Sequence, residues 1–288
     1  MALLCLARGM ANIFRRYDWH GTPQAFCKAL RQKRIKSLGH RWYSLEYPSE
    51  PYRTACKHGF LIGCLTALRH HNIWVPEHRE IHFIARRSTP KVDLPGACVH
   101  RAMLRSDYAW HTPPAQADKL IVPLADALEQ ALHYHDAETG LILVESMLNL
   151  KKIDCEAADY FISRVQTEKQ TVLKRYITNS QSGSETRMRN FLISKRYKVQ
   201  AQVYIEGVGR VDLLVGNSLI IECDSTAFHS QPLQVAQDRM RVIEAKKRGY
   251  ETLRFSYQQI WHSWEETQQF LCSYLKQGHH LKQPKRLG

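Results

Sequence analysis

The chain has 288 residues, 44% hydrophobic and 24% charged, which suits two or three globular domains. Its formal net charge of +14 points to nucleic acid or an acidic surface as partner. No run of about 18 apolar residues occurs, so no membrane span is expected, and eight cysteines without framework spacing read as reduced thiols of a cytoplasmic protein.

Residues 2–17 read as a short helix with Leu3, Leu4, Leu6, Met10 and Ile13 inward. The apolar start lacks a basic n-region and is broken by Arg8, so it makes a poor secretory signal, and Met10 is as good a start as Met1. Thr22-Pro23 then opens a helix, N-cap followed by proline at the first helical position. Phe26, Ala29 and Leu30 share one face, and Lys28, Arg31, Lys33 and Arg34 crowd the rest. A β-like tail, Ile35–Leu45, turns at Gly39. Helix, turn, basic helix and basic hairpin is the order of a winged helix that contacts DNA through those four cations. The plainer reading is a helical hairpin with solvated charges.

Tyr47-Pro48-Ser49-Glu50-Pro51 closes this first domain, 1–48. A middle α/β domain, 49–178, is expected to hold a helix near 54–71, a strand over 80–86 and a Pro/Gly-punctuated stretch to about 114. Helices over 123–135, 137–150 and about 155–177 complete it. Cys56, His58, Cys64, His70 and His71 match no standard zinc spacing and read as packed or exposed helical residues.

The polar stretch 178–183 leads into a third domain, 182–276. Its first helix, 184–195, carries Met188, Phe191 and Leu192 on one face, with Glu185 in the first turn. Glu185 either closes a capping box with Ser182 or aims a carboxylate at the hairpin of residues 209–224. In that hairpin two β-rich runs flank Gly216-Asn217-Ser218, a strong turn signal. A three-residue loop centred on Asn217 pairs Val215 with Leu219, Leu214 with Ile220, Leu213 with Ile221 and Asp212 with Glu222. By alternation Asp212, Leu214, Ile220, Glu222 and Asp224 share a face. Opposed like charges destabilise a sheet, and a divalent cation resolves the conflict because hard cations take carboxylate oxygens. The plainer alternatives are a slipped register or an Arg210–Asp224 pair. A helix from Pro232 to Arg248, a strand 250–256 and a last helix from Gln258 complete the domain.

Glu185, Arg210-Val211-Asp212, Glu222-Cys223-Asp224, His229, Asp238-Arg239-x-Arg241 and Gly249–Phe255 together resemble the very-short-patch-repair-type domains of the PD-(D/E)XK nuclease superfamily. The resemblance covers about residues 182–270. It implies a restriction-endonuclease-like mixed sheet flanked by helices, with Asp212, Glu222 and Asp224 as metal ligands. Asp224 stands where many of these nucleases have lysine, and His229 is the best substitute as proton carrier or phosphate contact. Residues 11–165 resemble, more weakly, the AbiEi-type antitoxin and regulator module through Lys33–Leu45, Cys64–Trp74, Ile81–Ala85 and Pro123–Leu128.

The expected function is thus a DNA endonuclease dependent on Mg²⁺ or Mn²⁺. Catalysis falls to Asp212, Glu222, Asp224, His229 and Glu185, and DNA contacts fall to Arg239, Arg241, Lys246 and Lys28, Arg31, Lys33 and Arg34 of the basic helix after Thr22-Pro23. No Gly-rich phosphate loop suggests nucleotide hydrolysis. The rival is a DNA-binding regulator or antitoxin with an inactive nuclease-like domain, and a protein-interaction module stands third. Oligomeric state has no sequence signal.

Overall fold

A computed structural model describes residues 13–102, 120–224 and 232–284, with backbone alone over 232–238. The chain forms two compact units, Met1–His135 and Asp136–Gly288. Both mix helices with small sheets, as the sequence implies.

In the first unit, β1 (Ile13–Arg15), β2 (Lys36–Gly39) and β3 (Trp42–Ser44) form an antiparallel sheet of order β1-β3-β2. Helix α1 (Pro23–Arg31) lies between β1 and β2 in sequence. The Thr22 side chain accepts the Ala25 N–H at 3.2 Å, as the Thr-Pro start requires. Phe26 is buried against Trp19 and Tyr43, which leaves Lys28, Arg31, Lys33 and Arg34 exposed. The helix expected over 2–17 falls largely outside the described residues, and its end is not helical. Ile13–Arg15 pairs with Trp42–Ser44 instead, and Arg16–Asp18 forms a single 3-10 turn.

The expected helix over 54–71 is two helices, α2 (Glu50–His58) and α3 (Cys64–His70), split by β4 (Leu61–Ile62). Gly59 ends α2 in the left-handed conformation at φ +68, and Leu61 and Ile62 then pair with Ile84 and Phe83. β5 (Ile81–Ala85) runs parallel to β6 (Ala97–Arg101), a strand within the stretch read as irregular. Helix α4 (Leu124–Tyr134) packs on α3.

The second unit begins with α5 (Ala137–Asn149), α6 (Cys155–Ser163) and α7 (Thr167–Leu173). The last two replace the single helix expected over 155–177, with Val165 buried in the break. Helix α8 (Gly183–Ser194) comes next, and buried Glu145 ties α5 to it. The Glu145 carboxylate accepts from the Arg189 guanidinium, from the Thr186 hydroxyl at 2.5 Å and from the Ile177 N–H at 2.9 Å. Strands β7 (Val199–Ile205), β8 (Gly209–Val215), β9 (Leu219–Asp224) and β10 (Glu251–Ser256) form a mixed sheet of order β10-β9-β8-β7. Neighbours are antiparallel except β9 and β10, which are joined through α9 (Pro232–Lys247). Helices α10 (Tyr257–Trp261) and α11 (Trp264–Lys276) end the unit.

This sheet has a core on each face. Leu213, Val215, Leu219, Ile221 and Cys223 pack with Met188, Phe191 and Leu192 of α8 and with Leu271 and Leu275 of α11. Val211 and Ile220 pack with Ile205, Val208 and Ala245 of α9. The hairpin holds the expected register, Val215 to Leu219, Leu214 to Ile220 and Leu213 to Ile221. Gly216 is required in its loop. It sits at φ +62, and a Cβ there would lie 2.4 Å from the His280 carbonyl oxygen.

Candidate active site

The β8–β9 ladder stops at Leu213–Ile221, one pair short of the expected Asp212–Glu222 opposition. Alternation also breaks there. Val211 belongs to the α9-side core and Leu213 to the other, although residues two apart in a regular strand share a face. On β7, Val203 and Ala201 divide in the same way, and Gln202 between them holds the left-handed conformation at φ +54. The simple face assignment of Asp212 is therefore corrected: it stands at the point where the two strands part.

Parting strands leave backbone donors that need partners, and the two acids supply them. The Asp212 Oδ2 accepts the Cys223 N–H at 2.8 Å, and the Glu222 Oε2 accepts the Asp212 N–H at 3.3 Å. Gln202 Nε2 donates to Glu185 Oε2 at 2.8 Å and to Asp212 Oδ1 at 3.4 Å. Glu185 performs neither expected role alone. Its N–H is capped by the Ser182 hydroxyl, while its carboxylate accepts the Gln181 N–H at 3.1 Å and turns to Gln202.

Glu185, Asp212 and Glu222 thus meet from α8, β8 and β9. Burial, and then the Asp212 charge, push the Glu222 carboxyl up to about 7 and raise that of Glu185. Arg241 pairs with Glu222, its Nη2 3.3 Å from Oε1.

Other expected site residues are placed differently. Asp224 is gripped by Arg254 of β10, Nη2 to Oδ1 at 2.8 Å and Nε to Oδ2 at 3.2 Å, so neither Arg210 nor the Asp212 cluster engages it in these contacts. Both residues line a cleft of about 210 Å³ with Glu222, Arg241 and Thr252. Arg241, expected on phosphate, donates to the Val208 and Arg210 carbonyls at 3.0 and 2.5 Å as well as to Glu222. Lys246 pairs with Glu251 at 2.6 Å. Arg239 is exposed on α9, and His229 lies outside the described residues. Gln202 was not singled out from the sequence, and Arg254 entered only as part of the Gly249–Phe255 stretch of the resemblance, with no role given to it. Gln202 could have been found by laying β7 against β8, where it stands between the partners of Val211 and Leu213. Arg254 needed the parallel β9–β10 register that puts it beside Glu222.

No family model matches the chain and no curated protein matches it, so neither resemblance drawn from the sequence gains support there. Among solved structures, 97% of the catalytic domain of the homing endonuclease I-Bth0305I aligns with 34% of this chain, at 19% identity and a TM-score of 0.30. The chemistry of the site rests on its own side chains.

Proposed function

We propose that the second unit hydrolyses phosphodiester bonds in DNA with a divalent cation, Mg²⁺ or Mn²⁺, and that the basic surface of the first unit adds affinity for DNA. The observation that carries this reading is the convergence of Glu185, Asp212 and Glu222 at the parted end of one hairpin. An all-carboxylate donor set fits a hard cation. Asp212 and Glu222 would hold it, with Glu185 as third carboxylate. A cation held there would supply charge neutralisation at the phosphate and a lowered pKa for the attacking water.

The remaining roles belong to the chain's own groups. Gln202 fixes the carboxylates of Glu185 and Asp212 through one amide nitrogen. Arg241 steadies Glu222 and the β7–β8 turn. Arg254, oriented by Asp224, and Arg239 offer guanidinium groups to the phosphate backbone. Lys28, Arg31, Lys33 and Arg34 add sequence-independent affinity.

The test is nicking of supercoiled plasmid by the full chain in Mg²⁺ or Mn²⁺, beside Asp212→Ala and Glu222→Ala. Metal-dependent cleavage should be lost in both variants while DNA binding persists. Cleavage that survives Asp212→Ala rejects the site. A DNA-binding regulator without nuclease activity is the second reading. It is favoured by the backbone N–H groups that Asp212 and Glu222 already accept, a role that needs no metal. It expects tight binding and no cleavage of duplex, mismatched or single-stranded DNA.

A further inference from the structure

We propose that Cys64, His82, His100 and His135 of the first unit bind a structural zinc ion. The four come from four elements: Cys64 opens α3, His82 lies on β5, His100 on β6, and His135 caps the end of α4. One ligand atom from each lies within 4.8 Å of all the others. Cys64 Sγ is 3.1 Å from His135 Nε2, and His82 Nδ1 is 3.0 Å from His100 Nε2. Tetrahedral zinc, with bonds of about 2.0–2.3 Å, sets its ligand atoms roughly 3.3–3.7 Å apart, so small side-chain adjustments close the shell.

The donor set chooses the metal. Imidazole and thiolate suit zinc, whereas Mg²⁺ demands oxygen. Four protein ligands fill the coordination shell, the pattern of a structural rather than a catalytic site. The surroundings are built to hold the ligands. His100 stacks on Tyr134 with centroids 4.2 Å apart, and the Tyr134 hydroxyl donates to the Arg101 carbonyl. Thr66 Oγ1 accepts the His82 N–H at 2.9 Å. Cys64 is held at φ +51, a conformation costly for a residue with a side chain, and its N–H donates to buried Gln130 at 2.8 Å.

A core of mutually hydrogen-bonded histidines is the competing account. It gives no reason for a thiol in a strained backbone to join three imidazoles from separate elements. The sequence reading sets Cys64 aside together with Cys56, His58, His70 and His71 as packed or exposed helical residues, and of these only Cys64 is in the group. Cys98 offers an alternative sulfur, 3.6 Å from His100 Nε2, and serves as the control.

The experiment uses the full chain purified without chelator. Elemental analysis should find one zinc ion per chain in wild type, in Cys98→Ser and in Asp212→Asn, which separates this site from the carboxylate cluster. Zinc should be lost in Cys64→Ser and His135→Ala. Cobalt substitution should give the intense visible bands of a tetrahedral site and a near-ultraviolet thiolate charge-transfer band. A carboxylate site cannot give the second, and Cys64→Ser should remove it. Should the Cys64 variant not fold, alkylation of Cys64 in wild type, read by mass spectrometry, should be slow with zinc and fast after stripping. Absence of both retained zinc and the cobalt charge-transfer band in wild type overturns the proposal. Equal alkylation rates, or zinc lost in Cys98→Ser but kept in Cys64→Ser, overturn it as well.

Discussion

Replacing Glu222 with glutamine should stabilise the protein in EDTA, and only above mildly acidic pH. Burial and the neighbouring Asp212 raise the Glu222 carboxyl from 4.5 to about 7. The native state then holds a proton that the unfolded chain releases, so stability falls as pH rises through that window. At roughly 1.4 kcal/mol per pK unit, ionising Glu222 costs the fold about 3 kcal/mol once pH exceeds 7. Its side chain is 17% exposed, so solvent screens little of this. Glutamine keeps the shape without the charge and forfeits the long pair with Arg241, which is 40% exposed and weak. The expected gain is therefore about 2–3 kcal/mol at about pH 8, or roughly 4–12 °C in Tm for a unit of this size. Near pH 4.5 the gain should shrink to a small remainder. The assay is thermal unfolding of wild type and Glu222→Gln across that range in EDTA, then with millimolar Mg²⁺ or Mn²⁺. Metal should stabilise wild type by mass action on the native state and leave the variant nearly unmoved. Parallel pH profiles for the two proteins, with no metal response in wild type, would refute the view that these acids repel and need a cation.

Three further outcomes are expected. Glu145→Ala strands the buried Arg189 guanidinium and should cost about 3–5 kcal/mol, read by urea unfolding; a loss under about 1 kcal/mol would mean that the pair is dispensable. A fragment beginning at Asp136 should fold alone, whereas one beginning at Asn179 lacks Glu145 and should give a poorly dispersed amide spectrum; a well-folded shorter fragment contradicts this. Alanine at Lys28, Arg31, Lys33 and Arg34 together should weaken DNA binding and flatten its salt dependence by about 0.9 in log–log slope for each phosphate no longer neutralised; an unchanged slope removes α1 from the DNA surface.

Where local chemistry decides the backbone, the sequence was readable. Thr22-Pro23 starts α1, and Gly216-Asn217-Ser218 sets the hairpin register to the residue. Met188, Phe191 and Leu192 reach the core as helical spacing requires. Reading failed where a distant partner decides. Leu61-Ile62 lies between Gly59 and Gly63 in a stretch otherwise of helical period, and it forms a strand by pairing with Phe83 and Ile84 and by bonding the backbone of Leu120 and Val122. Ile13–Arg15 abandons a helical pattern for the edge of a sheet for the same reason. The polar stretch 178–183 reads as a linker, yet Glu145 and Arg189 form their ion pair across it in sequence.

The same division separates the two proposed metal sites. Asp212 and Glu222 sit ten residues apart around a turn that the sequence announces, so their meeting could be argued before any fold was seen. What could not be argued was the manner of it. The strands part, Gln202 takes a left-handed conformation, and each acid accepts a backbone N–H of the opposite strand. The thiol and imidazoles are separated by 18, 18 and 35 residues and lie on four elements, one of them a strand the sequence did not reveal. Spacing motifs detect ligands delivered by one turn or one helix, and no such motif spans a helix start, two parallel strands and the end of another helix. Donor chemistry then sorts the sites without reference to spacing: oxygen alone in the second unit selects a hard ion, and nitrogen with sulfur in the first selects zinc. Under the two proposals the chain would keep one cation at oxygen donors for chemistry and another at nitrogen and sulfur for structure, neither set competing for the other's ion.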